Sequence, residues 1–301
     1  MSGSRRGLLL GGLAFAGAYF ALRDGLPALR SRFAALEFTA LERPSGFRRI
    51  AGGQTSSGGF DPFVGLDAKP QGGPDASEAQ AAVEADLCGT LFAGWSGDPS
   101  VVPIASFSDY NCPICRITTR RLAQLDDVAE GGACITWHEL PILGETSLLA
   151  ARAALAADRQ GAYAAFHERL LRSPFRATPE YLEAVAADLD LDQNRLTADM
   201  TNEAVSHRIA RGLALRDLFG FAGTPAIVIG RTVIEGDVDE TTLARLVEME
   251  REEGPPPACT GVQLRLRNVS QGIFAKRLTP IRRCSPPPSR GPSRSSRARA
   301  P

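Results

Sequence analysis

Cys112 and Cys115 offer the sharpest chemistry in the chain: at this spacing two thiols can close and reopen a disulfide or hold a soft metal. Upstream, Val101 to Phe107 is a short, apolar, β-branched strand signal, whereas Ile117 to Val128 has helical spacing through Leu122 and Leu125. The cysteines therefore fall at a strand-to-helix turn, with Asn111 the expected N-cap and Pro113 in the first turn, where a missing N–H costs nothing. Free N–H groups and the helix dipole favour a thiolate on Cys112 and lower its pKa. Cys115, one turn on, can close a disulfide with Cys112 and is expected to be the more buried of the two. Asp109 reads as a turn residue near enough in sequence to influence the thiolate.

A zinc site asks for a second pair of ligands. The chain has no other C-x-x-C and only three histidines, His138, His167 and His207. Each lies at a strand end or in an amphipathic helix and reads as a packed residue. No metal or other cofactor is implied, although a thiolate metal-handling protein stays open as an alternative.

The elements that must hold this turn follow in order. Ala133 to His138 reads as a second strand, parallel to the first, with the cysteine helix as the crossover. Ser147 to Gly220 is almost wholly helical, with Thr178, Asp192 and Thr201 as caps and Gly220 as a stop. Ala226 to Ile229 and Thr232 to Glu235 form a hairpin across Gly230-Arg231, and Asp239 caps a last helix from Glu240 to Glu253. The order βαβ, helical insertion, ββα is an α/β thioredoxin fold interrupted by an all-helical insertion at 145–220, within a domain spanning 85–253.

The chain's 34 basic and 34 acidic residues cancel, but unevenly. Nine arginines and Lys276 follow Gly254 with no acid among them, so all 34 acidic groups face only 24 basic ones in the rest of the chain. A body this acidic is no nucleic-acid binder by bulk electrostatics. At the other end, Arg5-Arg6 precedes an uncharged apolar run from Gly7 to Leu22, which reads as a signal peptide or a short membrane anchor over residues 1–22. Export implies an oxidising compartment, the periplasm, where six cysteines are expected to be largely paired. Residues 23–84 read as a stalk and arm along the domain, with a helix over Ala28 to Ala40 and Phe60, Phe63 and Val64 able to dock. The Pro/Arg/Ser-rich stretch 254–301 reads as a disordered tail.

With Glu139-Leu140-Pro141-Ile142-Leu143-Gly144, then Ser147, Gln160-Gly161 and Phe166-His167, the chain from about Leu87 to Glu253 resembles the DsbA family of exported thiol:disulfide oxidoreductases. The resemblance implies that Cys112 attacks, that Cys115 resolves, and that Thr224-Pro225 is the family's cis-proline loop. A cis X-Pro bond before a strand would expose backbone groups where a substrate segment can pair as an added strand. It also implies, as partners, reduced or misoxidised exported proteins and a membrane redox protein that resets the cysteines. The direction of electron flow, oxidase or reductase/isomerase, stays open.

Two departures bear on redox tuning, to which Pro113, Ile114 and Asp109 are assigned. Ile114 stands where the best-known members have histidine, and Ser106 where some keep a buried acid. Some members carry a second bridge flanking the active pair. Cys88 and Cys134 are the expected partners for it, because Cys259 and Cys284 lie in the tail. Two buried free cysteines are the alternative.

Overall fold

The computed structural model describes residues 35–57, 74–173 and 177–260. Segment 1–22, Phe60, Phe63, Val64, Cys284 and the tail beyond Thr260 lie outside them. Six strands form one sheet: β1 (Thr39–Ala40), β2 (Arg48–Ile50), β3 (Val102–Ser108), β4 (Ala133–Glu139), β5 (Ala226–Ile229) and β6 (Thr232–Glu235), in spatial order β1-β2-β6-β5-β3-β4. β3 and β4 are parallel with Ser108 opposite Glu139, and β5 runs antiparallel to both β3 and β6. The βαβ and ββα halves expected from the sequence therefore share one sheet. The pairing of β2, parallel to β6 through Arg48 and Thr232, was not expected: Ala28 to Ala40 reads as helical, yet Thr39–Ala40 is a strand. Three residues are too few for strand periodicity to be visible in sequence.

The described helices are α1 (Pro74–Ala85), α2 (Leu87–Leu91), α3 (Pro113–Gln124), α4 (Asp126–Glu130), α5 (Glu145–Asp158), α6 (Tyr163–Arg172), α7 (Pro179–Asp188), α8 (Gln193–Met200), α9 (Glu203–Phe219) and α10 (Glu240–Glu253). Strand alternation sorts the sheet's side chains into two cores. Ala105, Phe107, Ala226, Val228 and Val233 face α9 and α2, with Leu215, Phe219 and Leu91. Val102, Ile104, Ile135, Ile227, Ile229 and Ile234 face α3 and α10, with Leu122, Leu243, Leu246 and Val247. Burying each such isoleucine, leucine or phenylalanine contributes about 1.5–3 kcal/mol. A third core fills the insertion, where the small side chains of Ala150, Ala153, Ala154 and Ala157 on α5 let Phe166, Leu170, Leu182 and Leu196 close in.

The segment after α10 departs from the reading of a disordered tail. Pro257–Cys259 is a 3-10 turn, and Arg231 holds its approach by donating to the carbonyls of Glu253 and Gly254 at 3.0 and 2.9 Å. Cys259 is buried there and bonded to Cys88 on α2, with Cα atoms 5.5 Å apart. The expected Cys88–Cys134 bridge is thus wrong. Cys134 is itself disulfide-bonded, but not to Cys88. Elimination failed because seven residues after α10 hold a fixed geometry that composition does not reveal.

The candidate active site

The active-site turn that follows β3 is held by one buried acid. Asp109, 1% exposed, accepts hydrogen bonds at Oδ1 from the Asn111 N–H (2.7 Å) and the Ser147 hydroxyl (2.6 Å). Its Oδ2 accepts from the Ile142 and Leu143 N–H groups at 2.8 and 2.9 Å. The residue read as a mere turn former therefore clamps the cysteine turn to the Pro141-Ile142-Leu143-Gly144 turn and to α5.

α3 begins one residue later than expected. Its N-cap is Cys112, not Asn111, and the Cys112 Sγ accepts from the Cys115 N–H at 3.0 Å. Sulfur thus does what an oxygen usually does at a helix start, which leaves the negative form of Cys112 well solvated by the protein. Asn111 instead donates through Nδ2 to the Thr146 hydroxyl at 2.7 Å. Both cysteines are free thiols, and neither has exposed surface.

Their acidities are driven apart. Cys112 is lowered to about 6, chiefly by the hydrogen bond from the Cys115 thiol, with the Ser56 and Thr224 side chains and the Cys115 N–H adding to it against the opposing effect of burial. Cys115 is pushed well above the ordinary thiol range, first by burial and then by the neighbouring Cys112. Thr224-Pro225 is cis, and the Thr224 carbonyl lies 3.5 Å from the Cys112 sulfur. The loop before it is pinned by Glu235, whose Oε1 accepts from the N–H groups of Ala222 and Gly223 at 2.7 and 2.8 Å. Ser106 lies on β3, opposite Ile227, and is buried without being an acid. Ile114 and Pro113 occupy the first turn of α3 between the thiols.

A second polar cluster went unread in the sequence. Glu139, at the end of β4, accepts at Oε1 from the hydroxyls of Tyr110 and Tyr163, both at 2.7 Å, and the Tyr110 oxygen also lies 2.7 Å from His167 Nδ1. Burial raises Glu139 to about 7 and lowers His167 to about 3, so the imidazole is neutral. α9 approaches this strand end through Gly212, where a Cβ would stand 2.6 Å from the Glu139 carbonyl oxygen. Glu139 was visible only as the first letter of a turn motif, and its partners come from 24 to 29 residues away. His138 is a packed residue as expected, its Nε2 2.8 Å from the Leu91 carbonyl. His207 lies beside Glu78 and Glu203.

Two thiols of such unequal acidity, one helical turn apart beside a cis-proline loop, are built for thiol–disulfide interchange. Residues 103–248 match the family model described as a DSBA-like thioredoxin domain. A thioredoxin-like oxidoreductase from Silicibacter pomeroyi is 36% identical, the match covering 55% of this chain and 97% of that one with a TM-score of 0.50. Proteus mirabilis ScsC in a compact conformation shares the fold at 23% identity and a TM-score of 0.50, over 64% of this chain and 92% of that one. The chain also matches a Na(+)/H(+) antiporter NhaA 3 of Salinispora tropica, 29% identical over 130 residues, but spans only 20% of that protein's length and 42% of its own. The chain belongs to the DsbA-like family of thioredoxin-fold oxidoreductases.

Proposed function

We propose that this chain oxidises thiols of exported polypeptides by handing on a disulfide between Cys112 and Cys115. What supports this reading is the helix-start geometry of Cys112, whose sulfur accepts from the Cys115 N–H at 3.0 Å, with its pKa lowered to about 6. A stabilised Cys112 thiolate stabilises the reduced enzyme, which makes its disulfide the better oxidant. In the first step a substrate thiolate attacks the Cys112 sulfur of the disulfide, and Cys115 leaves and takes a proton, as its high pKa favours. A second substrate thiolate then attacks the substrate's sulfur in the mixed disulfide and releases Cys112 as the thiolate. The substrate loses two electrons and two protons, and the two enzyme cysteines gain the electrons. Thr224 and Pro225 supply the backbone edge on which the substrate segment aligns, and Asp109, Pro113 and Ile114 hold and tune the turn. A redox protein of the membrane resets the pair, and residues 1–22 direct the chain to the periplasm, by cleavage or by anchoring. Among the described residues no helix is long and apolar enough to cross a membrane.

The test is equilibration of the full chain in glutathione redox buffers, followed by acid trapping and alkylation. A Cys112–Cys115 pair more oxidising than the glutathione couple, together with stoichiometric oxidation of a reduced model protein, is the expected result. A pair that stays oxidised in reducing buffer turns the reading to a reductase or isomerase.

A further inference from the structure

The backbone edge beside the reactive thiol is already taken. From β2 the chain continues along residues 51–56, where the Gly53 N–H donates to the Asp237 carbonyl (2.8 Å) and the Asp237 N–H to the Gln54 carbonyl (2.9 Å). At its end Ser56 forms an antiparallel bridge with Thr224: the Ser56 N–H donates to the Thr224 carbonyl at 2.7 Å, and the Thr224 N–H to the Ser56 carbonyl at 2.9 Å. Those are both main-chain groups of the residue before cis-Pro225, the pair an incoming strand would need. The Ser56 side chain also helps to lower the pKa of Cys112, and Cys112 has no exposed surface.

The approach is built into the sequence on both sides. A Cβ at Gly52 would stand 1.9 Å from the Glu235 carbonyl oxygen, and one at Gly223 would stand 2.9 Å from the Ser56 carbonyl oxygen. Gly236, at φ +102°, gives the same close passage to the Gly53 carbonyl, where a Cβ would be 2.3 Å away. Only backbone can lie this near backbone. What holds the segment is also weak: residues 51–55 are exposed and bury no apolar side chain, so backbone hydrogen bonds that water can replace are its main attachment.

We propose that residues 51–56 are an intramolecular occupant of the strand site, an arm in which Ser56 stands where a substrate residue would meet Cys112 and which an extended polypeptide must displace. The inference rests on the reading of Cys112 as the exchanging thiol. A hydroxyl can hydrogen-bond a thiolate but cannot form a disulfide with it, so the occupant covers the nucleophile without consuming it. A small thiol or disulfide brings no backbone to exchange for the arm's hydrogen bonds, whereas a polypeptide does. The arm therefore selects for extended protein segments over glutathione-sized reactants.

The test compares the reduced full chain with Gly52→Val and Ser56→Pro, which respectively force the arm off Glu235 and remove the N–H bonded to Thr224. Ser56→Ala, which keeps the arm and loses only the hydroxyl, is the control. Alkylation of Cys112 by iodoacetamide at pH 8, where the thiolate is populated, should be at least tenfold faster in the first two than in wild type and Ser56→Ala. In a Cys115→Ala background, Ser56→Cys should form a bond to Cys112 when oxidised glutathione takes up the two electrons and two protons, and Ser57→Cys should give the glutathione mixed disulfide instead. Equal alkylation rates in all four proteins, or no bond from position 56, overturn the arm. Failure of every protein to exchange with a disulfide peptide while Cys112 still alkylates overturns the exchange reading and leaves the alkylation comparison to decide on the arm.

Discussion

Cys112 and Cys115 stand one helical turn apart as free thiols, whereas Cys88 and Cys259 are 171 residues apart in sequence and joined. Both pairs are buried, so burial does not separate reactive from inert. What separates them is what surrounds the sulfur. Cys112 receives a helix-start N–H and lies against the Thr224 carbonyl of the cis-proline loop. Cys88 and Cys259 lie among Phe47, Leu91, Phe92 and Phe219, which offer no donor to a thiolate.

The most severe way to break this contrast is at the helix start. Cys112→Ser is expected to abolish oxidation of a reduced model protein, while Cys115→Ser traps mixed disulfides at Cys112, both visible by mass after acid quench. Comparable activity in Cys112→Ser would move the chemistry elsewhere. At the inert pair, replacing Cys88 and Cys259 together by alanine is expected to lower the stability of the oxidised protein by roughly 2–5 kcal/mol in urea, with iodoacetamide reactivity at Cys112 unchanged. A change in that reactivity would mean the two regions are coupled.

The smallest effect is that of pH. With Cys112 lowered to about 6, alkylation should fall about tenfold between pH 7 and pH 5. The linkage follows the same sign. A folded-state pKa below the unfolded one stabilises the reduced protein fully above the unfolded thiol's pKa, and that stabilisation is lost as pH falls toward 6. Urea titrations of reduced and oxidised protein should therefore diverge across this window. Parallel curves would remove the thiolate from the account.

The parts legible in the sequence were those written locally. The hairpin Ala226–Ile229 and Thr232–Glu235 and the helix Gln193–Met200 lie where their alternation and caps place them. The dithiol turn is legible because strand signal, proline and helical spacing are adjacent in the chain. Asp109, Glu139 and Ser56 were misread or missed for a common reason. Each acts through partners far away in sequence: Asp109 on Ile142 and Leu143, Glu139 on Tyr163, Ser56 on Thr224. A polar residue in a turn looks the same whether its side chain faces water or four donors. Cys259 was lost the same way, since three prolines before it resemble a disordered tail until Arg231 is seen gripping the carbonyls beside them.

The Cys88–Cys259 bond also closes a ring of main chain that contains β3 to β6, both active cysteines and the whole helical insertion. A protease that nicks any one loop within that ring, such as the one between α8 and α9, yields two fragments that remain a single molecule. A cut of that kind need not release either piece, and the cut ends stay close to where they were.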